Sequence, residues 1–295
     1  MEPFLKIFNS LKSGFFRSGK AWKSVIIVWL ITLLLVSMVA MPMKSAFSAG
    51  LGNSTIYEEL KNGINVEVFA DLKSAAGSLG SFFSTALLML VVVSFVVNSF
   101  ITGGLFNSLR KDSGEFSAKD FFRASSEKFW SFFIISLIFS ILVLILLVLV
   151  VVIPVSFIAV SEKANDVIIF NSAILLSSLF LFLVLILLIS ADYSRAWQVA
   201  HTENACFKAI NFGFRETFRT FFTSYPAMLI IMLIQFFYMW LALKILHGIK
   251  PESGIGIIIL FTASQILFIL KLYLKISRFG SFTVMMESGG RNPLY

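Results

Sequence analysis

The sequence predicts an all-α membrane protein with six transmembrane helices. Six runs of about 18 or more residues carry no charged side chain, and a helix of that length crosses a hydrocarbon core about 30 Å thick. The chain is 58% hydrophobic and 14% charged, whereas soluble domains carry about 25% charged residues. Because a bilayer core offers no water to backbone amides, each run must close its own hydrogen bonds as a helix.

Lysine and arginine residues sort to alternate segments between these runs. Eighteen of the 24 lie in segments 1–23, 107–129, 191–222 and 271–295, and six lie in the other segments. Basic residues in short loops resist translocation and mark the cytoplasmic side. The pattern predicts a multi-pass protein whose N and C termini are both cytoplasmic.

The predicted elements follow from these runs in chain order. Residues 2–17 form a cytoplasmic amphipathic helix, since Phe4, Phe8, Leu11 and Phe15 recur at helical spacing with basic residues between them. The second and third runs exceed a bare span, which predicts tilt or extension into the interface. Pro154 lies near the outer end of the third, where a kink or a stop of the helix is tolerated. The predicted spans are approximately 23–43, 81–107, 130–158, 167–190, 221–244 and 254–275, with an extracytoplasmic loop over 44–80.

Two further basic, aromatic segments precede the third and fifth spans. Residues 117–130 and 206–219 align without gaps at an offset of 89 residues, which matches Lys119 with Lys208 and Glu127 with Glu216. The alignment indicates a three-unit internal repeat, each unit an inward amphipathic helix followed by a helical hairpin. Chance similarity in an aromatic-rich chain is the alternative. A basic helix with phenylalanine on one face is typical of the membrane interface, next to anionic head groups.

Charged and aromatic residues at this inner face are the candidate binding residues. Asp192 and Arg195 lie just inside the fourth span, where their spacing allows an ion pair on one helix face or a fixed helix end at the interface. Plain anchoring of the bundle is the alternative to a docking role for the whole set. The candidate residues for a partner or lipid are Lys119, Arg123, Glu127, Trp130, Asp192, Arg195, Lys208, Arg215, Glu216 and Arg219.

Polar residues inside the spans are amides rather than charges. Interhelical hydrogen bonding is the expected role of Asn98, Asn171, Gln235 and Gln265. Ion-coupled transporters and intramembrane proteases need charged or catalytic groups at mid-depth, and the spans contain none there.

The chain also lacks the motifs of most enzymes. One cysteine excludes an intramolecular disulfide and a multi-cysteine metal site, and the two histidines fall in loops on opposite sides. No phosphate-binding or nucleotide-binding glycine loop occurs. We therefore expect no enzymatic activity, no metal and no cofactor. The formal charge of +8 is explained by basic residues that set the orientation of the chain in the membrane. We therefore expect no nucleic-acid partner.

A resemblance supports this class of protein. The residues 192–196 followed by 208–222, and Gly104-Leu105 followed by 116–133, resemble a broad group of bacterial polytopic proteins that includes the membrane domain joined to some glycerophosphoryl diester phosphodiesterases. The likeness covers residues 95–225 and includes no phosphodiesterase catalytic residues, so it implies no activity. It implies a helical protein of the bacterial inner membrane.

Together these features predict a non-catalytic inner-membrane protein that serves as a scaffold, an anchor or a regulatory subunit. Its cytoplasmic amphipathic helices would dock anionic membrane lipids, a protein partner or a second copy of the chain. The alternative is a transporter or permease-like subunit for a lipid or small molecule, because six spans with inward helices are also the topology of an ATP-driven exporter's membrane half. A lipid-sized cavity would favour transport, and a tightly packed bundle would favour a scaffold.

Overall fold

The computed structural model describes residues 2–51, 73–110, 116–161, 165–201, 205–249 and 254–288. These residues form helices and short connections without a strand, which confirms the all-α prediction. The helices are α1 Glu2–Lys20, α2 Trp22–Leu51, α3 Lys73–Ser108, α4 Ala118–Glu127, α5 Phe129–Leu147, a π-helical turn Val148–Val152, α6 Ile153–Val160, α7 Asp166–Ala200, α8 Cys206–Arg219, α9 Phe221–Gly248 and α10 Gly254–Ser288.

Six helical segments are long and apolar enough to cross a membrane, so the chain is a multi-pass membrane protein. Each predicted span overlaps one of them, but several helices are longer than predicted. The spans expected to end at 190 and 275 continue as helix to Ala200 and Ser288. The predicted loop over 44–80 is shorter, since α2 runs to Leu51 and α3 begins at Lys73. Its central part, residues 52–72, lies outside the described residues.

The chain divides into two compact units. The smaller unit, Ile27–Asn98, comprises most of α2 and of α3, and within it the Thr32 hydroxyl donates to the carbonyl of Val28 at 2.7 Å. The larger unit comprises Met1–Ile26 and Ser99–Tyr295. All contacts described below lie within the larger unit.

A π-helical turn connects α5 and α6. Pro154 follows this turn at the second position of α6. Proline has no N–H to donate, and its ring clashes with the carbonyl four residues earlier. The wider π turn at Val148–Val152 makes room for the ring, and the helix then continues to Val160.

The ends of α3, α5, α7, α9 and α10 meet around buried aromatic rings. The ring of Phe106 in α3 lies 4.8 Å from that of Phe279 in α10 and 6.1 Å from that of Phe132 in α5. Tyr193 in α7 packs edge-on against Phe282 in α10 at 5.4 Å. All five rings are buried. We call this end of the larger unit, which also carries α1, α4 and α8, the basic end.

Small residues allow α1 to pack closely against α10 and α4 to pack closely against α3. In α1, a Cβ at Gly14 would lie 2.6 Å from Ser281 Cα in α10. In α3, the backbone N–H of Gly104 donates to Ser125 Oγ in α4 at 3.1 Å, and a Cβ there would lie 2.7 Å from the Phe121 carbonyl oxygen. Both contacts require glycine because the backbones approach too closely for any side chain.

A third contact of the same kind joins α8 to α7. A Cβ at Gly213 would overlap the Ser190 carbonyl and the Ser194 hydroxyl, and Ser190 Oγ donates to Thr217 Oγ1 at 3.0 Å. The glycine lies on the short helix in α1 and α8 but on the long helix in the contact of α3 with α4, so the three-unit repeat stays a prediction. In addition, α4 has 10 residues and α8 has 14. The two segments that align without gaps in sequence therefore do not end at matching positions in the fold.

Replacing Gly213 by alanine is expected to destabilise the protein by about 1–3 kcal/mol, because the new methyl group must displace the backbone of α7. The measurement is unfolding of the detergent-solubilised protein. Gly248→Ala is the matched control, since a Cβ at the end of α9 would meet nothing within 4 Å. Alanine favours the helix at both positions, so equal stability of the two variants would contradict the close contact.

Candidate functional site at the basic end

A buried carboxylate in α7 lies between two arginines. Asp192 is 0% exposed. Its Oδ2 lies 2.9 Å from Arg278 Nε in α10, and its Oδ1 lies 3.4 Å from Arg195 Nη1 one turn further along α7. Arg195 Nη2 also donates to Ser136 Oγ in α5 at 3.2 Å. One ion-pair group thus connects α5, α7 and α10.

A lysine of α10 lies close to this ion-pair group. Lys275, one turn before Arg278 in α10, is near enough to Asp192, Arg195 and Arg278 to interact with their charges. Its Nζ lies 5.9 Å from the centre of the Phe279 ring, and the Arg278 guanidinium lies 5.0 Å from it. We call Asp192, Arg195, Lys275 and Arg278 the buried charge cluster. Arg195 and Arg278 are the members of the cluster that contact Asp192 directly.

Several hydrogen-bonding atoms of the buried charge cluster have no hydrogen-bond partner among the described residues. Arg195 Nε and Arg278 Nε are both buried and both lack one. The contact between Arg278 Nε and Asp192 Oδ2 has the distance of an ion pair but not the alignment of a hydrogen bond. Buried donors are normally satisfied, and Arg278 Nε is compensated by the charge of Asp192 at 2.9 Å.

Hydroxyl groups next to the buried charge cluster join α7 to α9. The Tyr193 hydroxyl lies 2.6 Å from Ser224 Oγ, which in turn lies 2.7 Å from Thr220 Oγ1. Thr220 donates to the carbonyl of Glu216 at 2.8 Å. These bonds fix the junction between α8 and α9 against α7.

Three basic residues cap the carboxyl ends of long helices. Arg17 donates to the carbonyl of Leu109 after α3 at 3.1 Å, Arg110 to that of Val199 in α7 at 3.3 Å, and Lys128 to that of His201 after α7 at 2.9 Å. The last carbonyls of a helix have no partner within the helix, and cations there also complement its dipole. Burial lowers the pKa of Lys128, while the neighbouring Glu127 charge opposes that shift.

An open cleft of about 1600 Å³ lies at the basic end between α1, the end of α3 and α4, beside α10. Its walls are held by the ion pair of Arg17 with Glu287 at 2.7 Å and by the Tyr273 hydroxyl, which donates to the Phe15 carbonyl at 3.0 Å. Its charged lining residues are mostly basic: Lys12, Arg17, Lys20, Arg110 and Arg123, with Asp120. Its aromatic lining residues are Phe15, Phe16, Phe116, Phe121 and Tyr273. Such a lining attracts anionic groups that carry an apolar part.

Most of the predicted binding residues are accessible on α4, α5 and α8. Arg123 pairs loosely with Asp120 at 3.7 Å and with Glu127 at 3.8 Å, and all three are exposed. The side chain of Trp130 is 70% exposed. The predicted residues that remain exposed are Lys119, Arg123, Glu127, Trp130, Lys208, Arg215 and Arg219.

Three predicted surface contacts are inside the protein instead. Asp192 and Arg195 are covered by α5 and α10, and Glu216 accepts a hydrogen bond from Arg219 at 2.7 Å with its own side chain only 6% exposed. Asp192 and Arg195 form the ion pair that their spacing allowed, and none of the three side chains lies at an exposed surface. Spacing along one helix reveals a pair of residues, but it does not reveal which neighbouring helix covers them.

The predicted polar residues of the spans differ in role. Gln235 in α9 donates to the Leu274 carbonyl in α10 at 3.3 Å, which is the expected interhelical hydrogen bond. Asn171 lies on the exposed surface of α7, while Asn98 and Gln265 lie within α3 and α10.

Sequence reasoning missed the contributions of α10 and of two tyrosines. Tyr238 of α9 donates to the Leu267 carbonyl of α10, and Tyr193 belongs to the hydroxyl group described above. Lys271, Lys275 and Arg278 were counted only as topological charges. Their spacing places them on one helix face, which was the available signal.

No protein-family model, curated protein or solved structure matches the chain. The resemblance to the membrane domain of glycerophosphoryl diester phosphodiesterases therefore stays a prediction. Among the described residues no group of three or more histidine, cysteine, aspartate or glutamate side chains is placed to hold a metal ion.

Replacing Asp192 by asparagine is expected to cost about 3–5 kcal/mol of stability, because it leaves buried arginines without a counter-charge. Thermal and denaturant unfolding in detergent measure the loss. In the double variant Asp192→Asn with Arg278→Gln, the loss should be smaller than the sum of the two single losses.

The matched control is Asp166→Asn at the other end of α7, where the side chain is exposed. This control removes a carboxylate from the first turn of the same helix, and its cost should stay below about 1 kcal/mol. A similar small cost for Asp192→Asn would show that the buried pairs contribute nothing to folding.

Proposed function

We propose that the protein is a non-catalytic scaffold of the bacterial inner membrane whose basic end binds anionic phospholipid head groups. Both chain termini and the basic end are cytoplasmic in this proposal. One observation carries it: three amphipathic helices are fixed to the ends of long helices by small-residue contacts, while basic and aromatic side chains on them remain exposed.

The exposed side of α8 supports lipid as the occupant. Phe207 is 71% and Phe218 65% exposed, and Lys208 and Arg215 are exposed on the same helix. Phenylalanine rings interleaved with basic residues suit the boundary between acyl chains and head groups. Each lysine or arginine near an anionic surface contributes about 1 kcal/mol to binding.

The buried side of α8 supports a fixed binding face rather than a loose anchor. Cys206, Ala209, Gly213, Glu216 and Thr217 are buried against the bundle. A helix held in this way does not lose further backbone freedom when a ligand binds, which lowers the entropic cost of binding.

The absence of catalysis is part of the proposal. The buried polar residues described above take part in ion pairs, helix caps and chains of hydroxyl groups. A nucleophile activated by a neighbouring base would need a side chain such as serine next to a free histidine or lysine. The Ser224 and Thr220 hydroxyls bond instead to Tyr193 and to each other.

The cleft at the basic end favours a second function, the handling or transport of a lipid. Its volume of about 1600 Å³ exceeds that of a typical small-molecule pocket, about 300–1,000 Å³. Basic and aromatic lining residues suit an anionic amphiphile. Protein-dependent movement of a fluorescent anionic lipid between the leaflets of liposomes would favour this second function over the scaffold.

The scaffold proposal is tested by the lipids that the protein retains after mild detergent extraction. Wild-type protein should be enriched in anionic phospholipid relative to the whole membrane extract. Lys208→Gln with Arg215→Gln should lower that enrichment roughly fivefold for each residue replaced, because each basic residue contributes about 1 kcal/mol. Quantitative lipid mass spectrometry is the measurement.

The matched control exchanges the same two residues without changing charge, Lys208→Arg with Arg215→Lys, and should retain the enrichment. Wild-type protein without enrichment in anionic lipid would refute the proposal. Recovery of a stoichiometric protein that is lost in the double glutamine variant, with lipid content unchanged, would replace lipid by a protein partner.

A further inference from the structure

We propose that the cleft at the basic end is a binding site for one membrane phospholipid whose head group carries two negative charges. Lys12 and Lys20 of α1 bind the two charges, and the ring of Phe16 between them contacts the apolar part of the lipid. This inference rests on the proposed function for the class of ligand. It adds one defined site, separate from the exposed face of α8, and a requirement for the number of charges on the ligand.

Two lysines of the cleft offer positive charge to a ligand. The acidic residues described at the cleft, Asp120 and Glu287, already pair with arginines. Lys12 and Lys20 are exposed and belong to no ion pair among the described residues. The Nζ atom of Lys20 lies instead 4.9 Å from the centre of the Phe16 ring. Because a basic lining attracts anions, a ligand with two negative charges matches the two lysines.

One side of α1 carries the binding residues, and another side packs against α10. Lys12, Phe16 and Lys20 follow one another at intervals of four residues, so they lie on one face of the helix, and all three line the cleft. Gly14 lies on the packed side, where its backbone approaches Ser281. The two lysines are eight positions apart, which is about 12 Å along the helix. Their long, flexible side chains can therefore meet two phosphates of one lipid or both sides of one doubly charged phosphate.

The cleft lies where two candidate membrane spans end. One span begins at Trp22, directly after Lys20 and Ala21, and another ends at Ser108, which itself lines the cleft. Trp22 is 54% exposed, and tryptophan is enriched at the head-group level of membranes. Basic pockets at this level between transmembrane helices suit multiply charged lipid head groups. The position of the cleft thus favours a lipid over a soluble anion.

The space beside α1 exists before a ligand binds. Phe16 is 65% exposed and lines the cleft. A Cβ at Gly19 would lie 3.8 Å from Tyr273 Oη, with no other described atom within 4 Å, so no neighbouring side chain fills this wall. Tyr273 is itself fixed, since its hydroxyl donates to the carbonyl of Phe15 at 3.0 Å. A site formed in advance needs less ordering when its ligand binds.

The test measures the dissociation constant of the first bound lipid by native mass spectrometry, with the full chain delipidated in maltoside micelles. Cardiolipin carries two phosphates, and phosphatidic acid carries two charges on one phosphate. Phosphatidylglycerol with one charge is the comparison, and zwitterionic phosphatidylethanolamine is the blank. One or both of the doubly charged lipids should bind about fivefold more tightly than phosphatidylglycerol, because the second charge meets a second lysine worth about 1 kcal/mol. Equal constants for the three anionic lipids would overturn the proposal.

Lys12→Gln with Lys20→Gln removes the two charges that the site needs. This variant should weaken the first doubly charged lipid about 25-fold, by two contributions of about 1 kcal/mol each, and should lose the preference over phosphatidylglycerol. Lys6→Gln with Lys23→Gln is the matched control, because both lysines are exposed nearby in the chain but do not line the cleft. The control should keep the preference, and an equal loss in both double variants would contradict the site.

Gly19→Glu tests the position of the site by a single change. It adds a carboxylate inside the cleft, where the 3.8 Å distance to Tyr273 Oη leaves room for the new Cβ. It should weaken the first doubly charged lipid about fivefold, because it cancels one positive charge. Gly248→Glu is the control, since a Cβ at the end of α9 would meet nothing within 4 Å. Wild-type affinity in both variants would place the lipid elsewhere and overturn the proposal.

The exposed face of α8 separates this site from the scaffold proposal. Lys208→Gln with Arg215→Gln should keep the preference of the first lipid for two charges, whereas Lys12→Gln with Lys20→Gln should keep the enrichment that depends on α8. Wild-type protein that is enriched in anionic lipid but binds its first lipid without a preference refutes the cleft site alone. A preference for two charges in wild-type protein without enrichment that depends on α8 refutes the scaffold's binding face alone.

Discussion

The close approach of helix backbones at small residues is the constraint on which the basic end depends. Gly14 against Ser281, Gly104 against Ser125 and Gly213 against Ser194 each bring a short helix against a long one. In a membrane, where apolar side chains gain little by leaving lipid, such contacts and interhelical hydrogen bonds supply much of the association between helices. Because Gly14 and Gly213 lie at the closest points of contact of α1 and α8, basic and aromatic side chains such as Lys12, Phe16, Phe207 and Lys208 are left on the exposed side.

The basic residues in the segments predicted to be cytoplasmic have three different physical roles. Arg17, Arg110 and Lys128 satisfy carbonyls at helix ends. Arg195 and Arg278 balance a buried carboxylate. Lys119, Lys208 and Arg215 are exposed. A count of charges predicts orientation because all of them resist translocation. The count does not separate these roles, since each role depends on which carbonyl or carboxylate lies nearby.

Hydropathy predicted the six spans because burial in lipid is a property of each run by itself. The partner of a side chain depends on which helices become neighbours, and the sequence of a single helix does not contain that information. Asp192 was assigned to a surface because nothing in its own helix indicates that α10 brings Arg278 to it. Pro154 allowed either a kink or a stop near the end of the third span, but only the surrounding backbone reveals the π turn. Gly213 carried no signal by itself, since its need for close contact is set by Ser190 and Ser194.

Adjacent residues of α7 connect the buried charge cluster to the amphipathic helices. Asp192 holds α10 through Arg278, and Tyr193 holds the start of α9 through Ser224. Ser194, the next residue, lies under Gly213 of α8. A change in the spacing between α7 and α10 at the ion pair therefore also shifts the surfaces against which α8 and α9 pack. Because packed contacts of this kind do not deform smoothly, the position of the outward face of α8 depends on the ion pair between α7 and α10.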